Sequence, residues 1–347
     1  MFKPKIVVIF CITLLITATA WKVSLDNKPQ SEIVTTSLFP ALIDSINEIT
    51  EITIEDRKFK SILRKIEGSW YLHNKDNYPA STSGIKRLAL ELSNLAILET
   101  KTSLADKYAK LGVNDLSLEG SLASKITVSA GEKKLVSLLV GLSPKGTSTA
   151  QRYIRLSDAT AAQLVAGQIT ASTNPIDWLD PQIIDIDSKS IRRLTIDVPD
   201  EQKIIISKKS ESEDFFNLQE VPESFEMKSK TIISSIPAIL MDLRLNNVVS
   251  AQLVTDLEPT QKTRITTFSG LEILLKDYIW ENKHYTVFEA SQEKDTDKPL
   301  DEMQNAAIEK INSKLHGWAY EIPAYKRRMI NRKFDDLIRP KENSDQM

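Results

Sequence analysis

Three histidines, His73, His284 and His316, are the side chains of this sequence best suited to acid–base or metal chemistry near neutral pH. No two of them stand at HxH or HxxxH spacing, so each reads as a polar surface or half-buried residue before it reads as a metal ligand. Asp177, Asp180, Asp185 and Asp187 form the densest carboxylate cluster. Such a cluster suits Ca²⁺, but it lacks the glycine and terminal glutamate of a calcium loop and reads better as a solvated connection. A hydrolase built on Asp177, Asp180 and His284 is the weakest of three functional readings. No GxSxG, GxGxxG or GxxxxGK[ST] motif occurs, so nucleophile-elbow and phosphate-loop chemistry lack their first requirement. No catalytic residue, metal site or cofactor is expected.

Two binding constellations remain. Lys326, Arg327, Arg328, Arg332 and Lys333 lie within two helical turns, and Arg327, Arg328 and Arg332 are the candidates for binding a partner. Tyr325, Met329, Ile330, Phe334 and Leu337 fall on the other side of the same predicted helix, which makes a docking stripe with a solvated basic face the plainer reading. Trp178 and Trp280 could stack on a sugar ring, although core packing is the ordinary role of tryptophans so placed.

The elements that would position these residues follow from hydrophobic periodicity. Ile52 and Ile54 alternate with Thr53 and Glu55 as in a half-buried strand, and Phe59–Ile66 and Trp70–Leu72 supply two more strands. Beyond Pro79 the period becomes helical through Ile85, Leu88, Ala89, Leu92 and Leu95, predicting a helix to Leu98. A short helix capped by Gly112 is predicted next, then strands at Lys125–Ser129, Leu135–Val140 and Gln151–Leu156, then a helix at Asp158–Ala166. The second half repeats this plan. Leu194-Thr195-Ile196 answers Ile52-Thr53-Ile54, Pro222 answers Pro79, Ile265-Thr266 answers Ile126-Thr127 and Trp318 answers Trp178, all at nearly one offset. Ile232–Leu243 takes the place of the first helix. Trp280-Glu281-Asn282-Lys283 is the most hairpin-like stretch, Met303–Leu315 reads as an amphipathic helix, and Ala324–Ile338 as a basic one.

The expected fold class is therefore α+β: an N-terminal membrane helix followed by two repeated sheet-plus-helix modules. The expected divisions are residues 1–25 as a transmembrane anchor or signal peptide, 26–48 as a linker with a short helix, 49–185 and 186–322 as the two modules, and 323–347 as a basic helix and tail. Ile6–Trp21 carries no charge and follows Lys3 and Lys5, which favours export of everything beyond Leu25. Spanning a bilayer takes roughly 20 helical residues, which this run reaches only if Lys22 snorkels and Val23 and Leu25 join it, and Ala18-Thr19-Ala20 suits signal peptidase, so anchor and cleaved signal both stand.

At 347 residues, 41% hydrophobic and 27% charged, the composition is globular, and a net charge of −2 gives no footing for nucleic-acid binding. The one cysteine, Cys11, lies in the apolar run, so the rest of the chain holds neither a disulfide nor a cysteine-based metal site.

The order of GSWYLHNKDNYPAS, KTSLADKYAKLGV, ITVSAGEKKLVSLLVG, QRYIRLSD, NPIDWLD and HGWAYEIPAYKRR resembles the domain of unknown function 4340 family. The resemblance implies a bacterial envelope protein encoded beside an ABC transporter ATPase, its permease and a gliding-motility-type auxiliary protein; it brings no catalytic residues. Function is accordingly expected to be non-enzymatic: a membrane-tethered periplasmic accessory protein at the inner membrane, single-pass, with an ABC transporter permease or auxiliary subunit as partner. The alternative is a periplasmic ligand-binding module for a glycan or lipid precursor. A concave pocket with converging polar groups would favour the second reading, a flat apolar patch the first.

Overall fold

The structure is a computed structural model that describes residues 37–146, 150–293 and 302–341. Among the described residues two compact units interleave in sequence: 37–49 with 86–171, and 50–85 with 172–341.

In chain order, β1 (Glu51–Glu55), β2 (Lys60–Ile66), β3 (Ser69–Leu72) and β4 (Tyr78–Pro79) form an antiparallel meander in the larger unit. Ile52 and Ile54 of β1 are buried while Thr53 between them is partly open, the alternation of a strand with one covered face. Helix α1 (Thr82–Ser93) buries Ile85, Leu88, Ala89 and Leu92. In the smaller unit, β5 (Ala96–Thr102), α2 (Tyr108–Leu111), β6 (Ser124–Ala130), β7 (Lys133–Val140), β8 (Gln151–Leu156) and β9 (Ala162–Ala166) follow, with strand order β6-β7-β8-β9-β5. Gly112 ends α2 in the left-handed conformation, φ 70°, where a Cβ would be strained.

The rest of the larger unit contains β10 (Gln182–Ile184), β11 (Ile191–Asp197), β12 (Ile204–Ser207), β13 (Asn217–Leu218), β14 (Phe225–Met227), α3 (Lys230–Ser235), β15 (Leu243–Arg244) and β16 (Asn247–Ser250). After these come β17 (Gln261–Thr267), β18 (Leu271–Trp280), β19 (Lys283–Gln292), α4 (Glu302–Leu315), β20 (Trp318–Glu321), α5 (Ala324–Ile330) and β21 (Ile338–Pro340). Its main sheet runs β13-β12-β11-β17-β18-β19-β20-β16. Both units thus carry a four-strand run, β6 to β9 and β17 to β20, closed by an edge strand that precedes the run in sequence, β5 or β16. β18 and β19 pair along their full lengths around Glu281 and Asn282, both at positive φ (49° and 60°), the backbone a two-residue hairpin turn demands.

The expected α+β class is corrected: the chain is mostly β-sheet, 38% strand against 23% helix among the described residues. The predicted helices shrink for local reasons. Ser93 turns its hydroxyl back to the Leu90 carbonyl at the end of α1, and the apolar residues from Ala96 on pair with β9 rather than continuing the helix. The predicted helix at Asp158–Ala166 is strand β9, because its Leu164 and Val165 find partners on both sides in β8 and β5. Pro237 has no N–H to give a helix interior, so α3 stops at Ser235 and a 3₁₀ turn, Ile236–Leu240, replaces the rest of the helix predicted at Ile232–Leu243. The basic helix ends at Ile330, followed by a 3₁₀ turn at Phe334–Leu337 and by β21, which pairs with β14. No helix among the described residues is long and apolar enough to cross a membrane, so the membrane helix of the expected class has no support here. The apolar run Ile6–Trp21, with Cys11, lies outside the described residues.

Candidate functional site

Register sets the floor of a cavity lined by converging polar groups. On β17, β18 and β19, Gln261 stands opposite Asp277 and Asp277 opposite Thr286; one step nearer the turn, Ile279 faces His284. Directly paired residues share a face, so these side chains form a patch on one side of the sheet. Gln261 and Asp277 are each 7% exposed and Thr286 1%. This is a buried polar row in a sheet otherwise packed with Ile273, Leu275, Phe288 and Ala290.

Helix α5 and the following Asn331–Asp336 segment roof the patch. Lys326 pins the helix: its side chain is buried, and Nζ donates to the Ala238 carbonyl at 2.9 Å and the Met241 carbonyl at 2.5 Å at the end of the 3₁₀ turn. Burial holds its pKa below the usual lysine value, and the carboxylates of Asp242 and Asp185 partly offset that. A second tie comes from the floor, where Gln261 Nε2 donates to Thr263 Oγ1 at 3.0 Å and to the Ile330 carbonyl at 3.4 Å.

Between floor and roof is a cavity of about 360 Å³, with Val198 and Glu201 at its side and Arg327, Arg332 and Lys333 on its upper wall. Lys333 Nζ pairs with Glu201 at 3.3 Å. Arg332 Nε is buried and has no hydrogen-bond partner among the described residues. Burial pushes the Asp277 carboxyl up to about 6, against the hydrogen bond from Thr286 and the positive charge of Arg327, which both pull it down. His284 is held below its ordinary value by burial, with Arg327 adding to the effect. The site therefore offers guanidinium donors and a carboxyl that titrates near neutrality, with no serine or cysteine among the residues that line it.

The sequence-derived candidates separate here. Arg327 and Arg332 line the cavity, whereas Arg328 is exposed and outside it. Trp178 is 3% exposed with Nε1 donating to the Ser172 carbonyl at 2.7 Å, a core position. Trp280 lies on the face of β18 opposite Asp277, against the cluster of Tyr278, Tyr285 and Val287, its ring 5.9 Å from that of Tyr285 in a T-shaped contact. Neither tryptophan reaches the cavity. Nor does the offset they share place Trp178 and Trp318 alike: the first ends a 3₁₀ turn, and the second opens β20.

The acidic cluster is consumed locally. Asp177 accepts from Ser172 Oγ, Asp180 pairs with Lys314 at 3.3 Å, Asp185 accepts from the Asp242 N–H, and Asp187 caps the turn at Lys189. No cluster of three or more His, Cys, Asp or Glu side chains placed to hold a metal ion occurs among the described residues. Sequence reading missed Asp277, Gln261 and Thr286. The one signal was a carboxylate at the parity of Ile273 and Leu275, where an apolar residue would be expected.

The family model described as Domain of unknown function (DUF4340) matches residues 70–263. The chain belongs to that family. A search of curated proteins finds no match. The family's matched span ends inside β17, so it takes in Val198, Glu201, Thr260 and Gln261 of the cavity and leaves out Asp277, His284 and the whole cationic wall.

Proposed function

We propose that the protein is a non-enzymatic binding module of the cell envelope that holds a small polar ligand under α5. The observation that carries this reading is the cavity itself: about 360 Å³, floored by Gln261 and Asp277 and walled by Arg327 and Arg332, it is concave and lined by converging polar groups. That is the geometry by which a ligand-binding module differs from a docking protein. The apolar run after Lys3 and Lys5 supports delivery to the envelope.

A second reading, an accessory subunit docking on an ABC transporter permease or auxiliary protein, draws on three exposed leucines of the smaller unit, Leu104, Leu118 and Leu122, at 61%, 52% and 67%. Native mass spectrometry of the full chain purified gently from its host separates the two. Wild type should carry a small-molecule adduct, and Ile279→Trp, which fills the cavity from a position already 49% exposed, should not. An adduct-free wild type, together with recovery of a transporter subunit after crosslinking in membranes, would replace the ligand-binding reading with the docking one.

A further inference from the structure

We infer that the ligand of this cavity is a hydroxylated monocarboxylate, its carboxylate seated on Arg332 and Arg327 and its hydroxyls against Thr260, Gln261 and Asn331. This inference rests on the binding-module reading and adds the chemical class. A buried guanidinium N–H without an acceptor has given up its hydration for nothing in return, so folded proteins seldom leave one unless something else completes it. Arg332 Nε is in that state, and Arg327, which lines the same cavity, makes no ion pair among the described residues. The planar fork of a guanidinium suits a carboxylate or a phosphate, each of which accepts two parallel hydrogen bonds.

Charge decides between the two anions. Arg327, Arg332 and Lys333 are the cations of the lining, and Glu201, Asp277 and Asp336 the acids, three against three. A cavity already balanced accepts one extra negative charge more readily than the two of a phosphate. Asp277 sets how readily. It is faced by Gln261 from β17, by Thr286 and His284 from β19, and by Arg327 from α5, with Arg332, Lys333 and Asp336 from the segment beyond and Glu201 from the side. When Asp277 takes up a proton the lining loses one negative charge, and His284 gains a positive one as it too protonates. Both changes favour an anion at lower pH. No phenylalanine, tyrosine or tryptophan lines the cavity, and Val198, Ile279 and Ile330 are its apolar members, so it suits a small aliphatic body better than a stacked ring.

The test is calorimetric titration of the full chain with glucuronate, gluconate, glucose and inorganic phosphate at about pH 5.5 and about pH 7.5, on either side of the Asp277 titration. Both carboxylates should bind, glucose and phosphate at least about ten-fold more weakly, and the carboxylates several-fold tighter at the lower pH. Arg332→Gln should weaken carboxylate binding about ten-fold or more, Arg327→Gln less, and Arg328→Gln not at all; Asp277→Asn should remove most of the pH dependence. Circular dichroism checks the fold of each variant, and Arg332→Lys, which keeps the charge without the fork, serves if the glutamine variant unfolds. Glucose binding as tightly as glucuronate would overturn the anion assignment while leaving the binding module in place. Phosphate binding as tightly would overturn the monocarboxylate assignment, and so would silence of both carboxylates, whatever the adduct measurement shows.

Discussion

Asp277 and Thr286 face one another across β18 and β19, and the threonine hydroxyl donates to the buried carboxyl at 2.5 Å. That single donor does not compensate for burial, which dominates and lifts the carboxyl to about 6. A folded pKa above that of the unfolded chain means that the native state binds the extra proton, so stability is greatest below the unfolded pKa, near 4, and falls as pH rises through 6.

Asp277→Asn should therefore stabilise the protein at neutral pH. The amide oxygen still accepts from Thr286 and carries no charge to bury, so the gain should reach as much as about 3 kcal/mol at pH 7.5 and vanish near pH 4. Urea unfolding at the two pH values measures it. An equal loss at both would show that the carboxyl is ionised and stabilised in the fold.

Lys326→Met should destabilise the roof. The substitution keeps the apolar stem but removes the ammonium that donates to the Ala238 and Met241 carbonyls, at a cost of about 2–3 kcal/mol. Hydrogen exchange should show the loss concentrated in α5 and the 3₁₀ turn Ile236–Leu240. An unchanged exchange pattern would mean that α5 is held by its apolar face alone.

Much of the fold was legible because strand periodicity is short-range. Ile52 and Ile54 announce β1, and Trp280-Glu281-Asn282-Lys283 announces the β18–β19 hairpin, since both signals sit within a few residues. Helix ends were not legible in the same way. Whether Ala162–Ala166 coils or extends depends on β8 and β5 being there to pair with it, a tertiary fact absent from its own residues. The site divides along the same line. Arg327 and Arg332 stand out as a basic cluster, whereas the row of Gln261, Asp277 and Thr286 exists only once three strands are in register.

The hairpin turn offers a stabilising substitution. Glu281 and Asn282 both sit at positive φ, where glutamate is poorly suited and Asn-Gly is the favoured pair. Glu281→Asn with Asn282→Gly should raise stability by about 0.5–1 kcal/mol, read as a higher urea midpoint at unchanged slope. A lower midpoint would mean that Glu281 has contacts worth more than the strain at its backbone.

The two tryptophans separate packing from recognition. Trp178→Phe keeps a smaller ring in the core, leaves part of the indole's volume unfilled and removes the N–H that bonds the Ser172 carbonyl, a combined loss of about 2–3 kcal/mol. Trp280→Ala strips a half-buried ring from the cluster of Tyr278, Tyr285 and Val287 and should cost about 2–3 kcal/mol. Both effects belong to stability, because Trp178 is enclosed and Trp280 faces away from Asp277 across the sheet. Glucuronate titrations of the two variants, at a temperature where both are folded, should match wild type within about two-fold, since neither ring touches the cavity. A selective loss of carboxylate affinity in Trp280→Ala, with Trp178→Phe unchanged, would place the ligand on the opposite face of β18 and require a different site altogether.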